Sequence, residues 1–245
     1  MTYCVGLLID EGLVMAGDTR TNAGLDNVGK FKKLHTWARE GERVFMLLTA
    51  GNLAITQAVI SLLNEAILGP KASKSPDSLF AAKTMFQAAR IIGKAIREVK
   101  AIDGEHLGAT SDAFSASFIF GGQIGKERPR LFQIYSEGNF IEATPDTPFF
   151  QIGEHKYGKP ILDRVADAKL SLGEAAKMVL ISFDSTLRSN LSVGLPIDML
   201  TYENNSLKFE HVKRIGQDDP YFRLVSGEWS KALRAAFKNI PPFDI

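Results

Sequence analysis

The chain opens Met1-Thr2, and the threonine is the residue there that could do chemistry. Methionine aminopeptidases accept a small second residue, and threonine is small. Removal of Met1 would leave Thr2 with a free α-amine beside its own hydroxyl. Such an amine has an ordinary pKa of about 7.7–8.0, so a useful fraction is neutral near pH 7. A neutral amine can take the hydroxyl proton directly or through one water, which makes an N-terminal threonine a nucleophile with its own base. With Met1 still attached, Thr2 has no free amine and this chemistry is closed. Many chains begin Met-Thr, so the pair gains meaning only from its surroundings.

Those surroundings supply charged partners. Asp18, in the segment Val14-Met15-Ala16-Gly17-Asp18-Thr19-Arg20, follows an apolar run folded at the turn Glu11-Gly12. A hairpin of that length returns Asp18 toward the start of the first strand. Phe31-Lys32-Lys33-Leu34 opens a later strand, and Thr49-Ala50-Gly51 closes the one after it.

Other motifs carry less. Gly121-Gly122-x-x-Gly125-Lys126 has the wrong spacing for a phosphate loop and is followed by Glu127, so it reads as a hairpin turn. His35, His106, His155 and His211 are scattered with no zinc spacing, so neither a metal nor a cofactor is expected. No G-x-S-x-G elbow occurs. Cys4, in an apolar strand, reads as a small buried hydrophobe.

The elements that must position these residues follow from periodicity. Tyr3–Ile9, Leu13–Ala16, Phe31–Trp37 and Val44–Thr49 read as a meander of antiparallel strands. Helices are expected over Asn52–Leu68, stopped by Gly69-Pro70, and over Asp77–Val99. Loops are expected at Lys71–Pro76 and Asp103–Asp112. Strands return at Ala113–Phe120, Leu131–Tyr135, Phe140–Ala143 and Phe149–Ile152. A helix near His155–Val165 follows, then one opened by the capping box Ser171-Leu172-Gly173-Glu174 and running through Leu187. Pro196–Thr201 and Leu207–Val212 read as late strands, and Ser226–Phe237 as a last helix. This order lacks the alternation of a parallel α/β sheet. It fits an α+β fold in which two antiparallel sheets stack face to face under helices on both sides, a four-layer αββα sandwich.

Composition narrows the partners. The chain has 245 residues, 45% hydrophobic and 23% charged, which is ordinary for a globular domain, and one domain over 1–245 is expected. A formal net charge of +1 and the absence of a basic stripe argue against nucleic acid. No run of eighteen apolar residues occurs, so no membrane span is expected. No charged n-region precedes the first apolar run, so a signal peptide is not expected either. With Cys4 as the single cysteine, an intrachain disulfide is impossible, which fits a reducing cytoplasm.

Thr2, Ala16-Gly17-Asp18, Lys32-Lys33-Leu34 and Ala50-Gly51 together resemble the pattern of proteasome β subunits and their bacterial peptidase relatives. They occur in family order and near family spacing, with one residue fewer between the aspartate and the lysine pair. Leu131–Gly138 resembles the family's mid-chain strand-turn-strand. Phe150-Gln151-Ile152-Gly153 resembles the strand before its third helix. The resemblance implies that Thr2, Asp18 and Lys33 are catalytic, with Lys32 as the alternative lysine, and that the Gly51 N–H serves an oxyanion hole. It also implies a substrate pocket near Thr21, Phe31, His35, Thr49 and Leu53, with Asn22 pairing its backbone with a peptide or protein substrate.

Two positions depart from the family. Glu154 stands after Gly153 where a serine is usual. Ser189 stands where an aspartate is usual, three residues before the supporting serine, Ser192. These departures, the lack of a propeptide, and a C-terminal extension from about residue 212 to 245 look most like the bacterial Anbu family, the ancestral β subunit. So do the segments Asp18–Gly24 and Gly153–Pro160. That resemblance implies a bacterial cytoplasmic protein that self-associates, in an open ring or a helical assembly. It leaves three functions: a threonine peptidase or amidase, a proteasome-fold assembly subunit with little or no activity, and an acyltransferase using the same threonine.

Overall fold

A computed structural model describes residues 2–22, 28–68, 75–107 and 114–244. Met1, the Gly69-Pro70 helix stop, and Ala23-Gly24 of the Asp18–Gly24 segment lie outside the described residues. So do residues 71–74 of the first expected loop, 108–112 of the second, and Ala113 at the start of an expected strand.

The described residues form an α+β fold of two five-stranded antiparallel sheets, a two-stranded ribbon and five α-helices. In chain order the strands are β1 (Tyr3–Ile9), β2 (Gly12–Asp18), β3 (Arg20–Asn22), β4 (Val28–Lys30), β5 (Leu34–Arg39) and β6 (Arg43–Gly51). Then come β7 (Ala116–Ile124), β8 (Arg130–Ile134), β9 (Phe140–Glu142), β10 (Phe149–Gly153), β11 (Ile197–Glu203) and β12 (His211–Ile215). The helices are α1 (Leu53–Leu68), α2 (Met85–Asp103), α3 (Lys159–Val165), α4 (Leu172–Ser189) and α5 (Pro220–Asn239). The first sheet runs β10-β1-β2-β11-β12 and the second β5-β6-β7-β8-β9, with β3-β4 as the ribbon.

Side-chain alternation divides the strands between separate cores. Tyr3, Val5, Leu7 and Ile9 of β1, with Val14 and Ala16 of β2, pack against α4 residues such as Val179 and Phe183. The intervening Cys4, Leu13 and Met15 pack with Val44, Met46 and Leu48 of β6 and Ile119 of β7. Phe45 and Leu47 of β6 and Phe118 and Phe120 of β7 point the other way, onto Val59, Ala89 and Ile92 of α1 and α2. Strands buried on both faces read as unbroken apolar runs, because both alternating sets must be apolar.

Several element boundaries differ from the sequence reading. The strand expected at Phe31–Trp37 starts only at Leu34, because residues 31–33 feed the site described below. The β3-β4 ribbon was not anticipated; its strands are three residues each, too short to show a period. The first expected turn at Gly121-Gly122 is instead strand: β7 runs to Ile124. A Cβ on Gly122 would lie 2.2 Å from the Val44 carbonyl oxygen, so that glycine permits close strand approach rather than a turn.

The helix expected from Asp77 starts at Met85. Ser78 caps a 3₁₀ turn at Leu79–Ala81, and Thr84 then caps α2 by accepting the Gln87 N–H. The helix expected from His155 starts at Lys159, with Pro160 in its first turn. The capping box at Ser171 and Glu174 opens α4 as expected. Leu207 is not strand but has φ 48°, and the last strand is β12. The last helix is longer than expected, because Asp219 caps it by accepting the Phe222 N–H at 2.9 Å.

The Phe120 ring lies 5.8 Å from that of Phe45 and 6.3 Å from that of Phe132, and it is fully buried. Phe120→Ala is expected to lower the unfolding free energy by about 3–5 kcal/mol, read as a fall in the urea midpoint.

Candidate functional site

Asp18 ends β2 and is 0% exposed. Its Oδ1 accepts from Lys33 Nζ at 2.7 Å and from the Tyr3 backbone N–H at 3.0 Å. Its Oδ2 accepts from the Gly194 N–H at 3.2 Å. Burial pushes the Asp18 carboxyl up from its ordinary value, and Lys33 and the two backbone donors pull the other way.

Lys33 is 4% exposed. Its Nζ also donates to the Arg20 carbonyl at 2.5 Å, and its own carbonyl accepts the Thr49 N–H at 3.0 Å. The Phe31 N–H donates to the Thr19 carbonyl at 2.8 Å, so the approach to β5 is tied down before Lys33 arrives. Lys32 is exposed.

Thr2 is 9% exposed. Its carbonyl accepts the Glu154 N–H at 2.6 Å, while the next N–H, that of Tyr3, goes to Asp18. Opposite lies Gly153, with φ 81°; a Cβ there would sit 2.1 Å from the Thr2 carbonyl oxygen. Only glycine fits that left-handed, tightly apposed position. Tyr3 donates its hydroxyl to Ser182 Oγ at 3.0 Å and accepts from Gln151 Nε2 at 2.8 Å. Burial pushes the Tyr3 phenol and the Cys4 thiol up, so both stay neutral.

The remaining candidates fall in three places. Gly51 ends β6 with φ 108°. Ser189 is exposed at the end of α4, while Ser192 is half-buried and donates its backbone N–H to Asn190 Oδ1 at 2.9 Å. His35, Thr49 and Leu53 line one cavity of about 340 Å³ together with Lys32, Thr56, Gln57, Ile60 and Ser61. Thr21 and Phe31 do not line it. The Thr21 hydroxyl is buried without a hydrogen-bond partner among the described residues. Asn22 ends β3, and its side chain lies outside the described residues. Burial and the nearby Lys32 push His35 down to about 4, so its ring is neutral at pH 7.

Sequence reasoning marked Glu154 only as a departure and passed over Asn190. The two are bonded: Asn190 Nδ2 donates to Glu154 Oε2 at 2.8 Å, and the Lys156 N–H donates to Oε1 at 2.8 Å. Both side chains are 8% exposed. Desolvation works against ionisation of Glu154, but the donors from Lys156, Asn190 and His155 win, and its carboxyl lies below the usual range. The available signal for Asn190 was its place just after the helix expected through Leu187, where a short amide can end a helix and turn inward. Among the described residues no group of three or more His, Cys, Asp or Glu side chains could hold a metal ion. No helix among them is long and apolar enough to cross a membrane.

No protein-family model matches the chain, and neither does a curated protein sequence. Solved structures do. The chain is 58% identical to Anbu from Hyphomicrobium sp. strain MC1, with TM-score 0.92 over 99% of this chain and 100% of that one. It is 44% identical to Anbu, described as an ancestral beta-subunit, from Yersinia bercovieri, with TM-score 0.91 over 99% of each chain. It is 45% identical to a chain from the helical assembly of the Anbu complex of Pseudomonas aeruginosa, with TM-score 0.91 over 99% of this chain and 98% of that one.

Two outcomes follow from the site's electrostatics. Asp18→Ala strands the Lys33 ammonium in the interior and is expected to cost about 3–5 kcal/mol of unfolding free energy, measured by urea titration. Glu154→Gln removes a carboxylate whose folded pKa is depressed. The wild type's stability advantage over this variant is therefore full above the ordinary value of 4.5 and disappears as pH falls through the depressed one. Paired unfolding curves between pH 3 and 7 check it.

Proposed function

The chain belongs to the Anbu family of ancestral β subunits, and on that premise we propose that it is an N-terminal threonine hydrolase that cleaves peptide or amide bonds with Thr2. The observation that carries this reading is the single Asp18 oxygen shared by the Lys33 ammonium and the N–H of Tyr3, the residue bonded to Thr2. One carboxylate thereby fixes a cation and the nucleophile's backbone in one frame.

Once Met1 is gone, the α-amine takes the proton from Thr2 Oγ. The oxygen attacks the substrate carbonyl carbon, and the Gly51 N–H receives the oxyanion of the tetrahedral intermediate. Collapse breaks the C–N bond, and the α-ammonium returns its proton to the leaving amine. Water, deprotonated by the same amine, then hydrolyses the acyl-Thr2 ester. The Lys33 ammonium, held in place by Asp18, lowers the α-amine's pKa and favours negative charge on Oγ. Two unit charges 4 Å apart at an effective dielectric constant of 20 interact by about 4 kcal/mol, which sets the scale of such an effect.

A second reading has its own support. Ser189 is exposed on α4, and the carboxylate of Glu154 follows Gly153 where a serine is usual in proteasome β subunits. A carboxylate near the α-amine stabilises the ammonium and leaves less of the amine neutral near pH 7 to take the hydroxyl proton. This favours an assembly subunit with low peptidase activity.

Both readings take the protein to be a self-associating component of the bacterial cytoplasm. The helical assembly of the Pseudomonas aeruginosa relative supports self-association, as do the exposed Leu224, Leu233, Phe237 and Ile240 on α5 and at its end. A four-layer αββα sandwich is supported by the three cores, one between the sheets and one under the helices on each outer side.

Thr2→Ala is expected to abolish turnover in a screen of peptides and small amides, with assembly size by light scattering unchanged. Intact-mass spectrometry of active wild-type protein is expected to show the loss of one methionine. Equal turnover by variant and wild type would remove Thr2 from the chemistry.

A further inference from the structure

Lys32 and Lys33 are chain neighbours with opposite destinations. Lys33 turns inward and is neutralised by Asp18. Lys32 stays exposed and reaches the wall of the 340 Å³ cavity, where it pairs with no carboxylate among the described residues. Thr49 joins the cavity to the site: it is one of the cavity's lining residues, and its backbone N–H is bonded to the Lys33 carbonyl at 3.0 Å.

The chemistry of the lining is one-sided. None of its eight residues is acidic. Gln57 and Ser61, exposed on α1, offer neutral polar groups, while Leu53 and Ile60 supply apolar wall. His35 contributes no charge at pH 7, because burial and the Lys32 cation hold its imidazole neutral. Among the described lining residues, Lys32 carries the only charge at that pH. A carboxylate entering here meets the Lys32 ammonium, which has no carboxylate partner among the described residues, and polar donors; a cationic side chain meets repulsion.

We propose that this cavity receives an acidic side chain, so that the preferred substrate carries glutamate or aspartate immediately before the bond that is cut. The proposal rests on the reading of Thr2 as nucleophile, which sets what lies beside the cavity. Lys32 acts here as the specificity-determining residue.

The test separates the two ideas by measuring binding without turnover. The Thr2→Ala protein is titrated with product-like peptides ending in Glu, Gln, Phe or Lys, each with a blocked amine and the same free terminal carboxylate. The Glu peptide is expected to bind roughly fivefold tighter than its neutral isostere Gln, with the gap narrowing at high salt. Lys32→Glu is expected to reverse the order of the Glu and Lys peptides, whereas Lys169→Glu, a charge change on an exposed loop, leaves it alone. Equal binding of Glu and Gln at low salt, tightest binding of Phe that ignores Lys32→Glu, or no binding of any peptide overturns the proposal. In wild-type protein, Thr2-dependent turnover without acidic preference leaves the nucleophile standing and removes the pocket. A Lys32-dependent acidic preference in binding, with no turnover in wild type, does the reverse.

Discussion

The arrangement of the N-terminal region depends on one buried ion pair. An aspartate and a lysine taken out of water lose several kcal/mol of hydration each, and their attraction offsets that only if the remaining lone pairs are also satisfied. Asp18 meets the condition with two backbone donors besides Lys33. Those donors come from separate places: Tyr3 at the start of β1, Gly194 in the segment between α4 and β11, and Lys33 just before β5. The pair therefore acts as a junction between segments far apart in sequence, and each has only one arrangement that leaves no charge stranded.

Around that junction the sheets hold the candidate site's residues at their strand ends. β1 lies between β10 and β2, so the residues on either side of Thr2's peptide are held from two directions. The Glu154–Asn190 bond ties the end of β10 to the end of α4 on the far side of Thr2. The second sheet contributes less to Thr2 directly. It carries Thr49 and the cavity, and the core between the sheets fixes how far those stand from the first sheet.

Much of this frame was legible in the residues. The apolar runs of β1, β2 and β6 and the Ser171-Glu174 capping box announce themselves by local chemistry. Asp18 and Lys33 were legible as a pair through hairpin length and strand order together with the family pattern. What stayed hidden was set by tertiary geometry. Nothing local distinguishes Gly122 in a strand from a glycine in a turn; the difference is the Val44 carbonyl pressed against it. The Glu154–Asn190 contact joins residues 36 apart whose neighbours carry no shared period. The three-residue strands β3 and β4 are too short to show alternation, and Lys32's place on the cavity depends on where residues 31–33 leave the ribbon.

The carbonyl of Thr2 is clasped by Glu154, and the following amide by Asp18, so neither anchor involves residue 1. On the proposed reading of Thr2, hydrolysis of the preceding peptide link would change the chemistry of residue 2 while both of these anchors stay in place. On that reading, whether the molecule is silent or competent is decided by that single covalent bond, and so by the exopeptidase that cuts it.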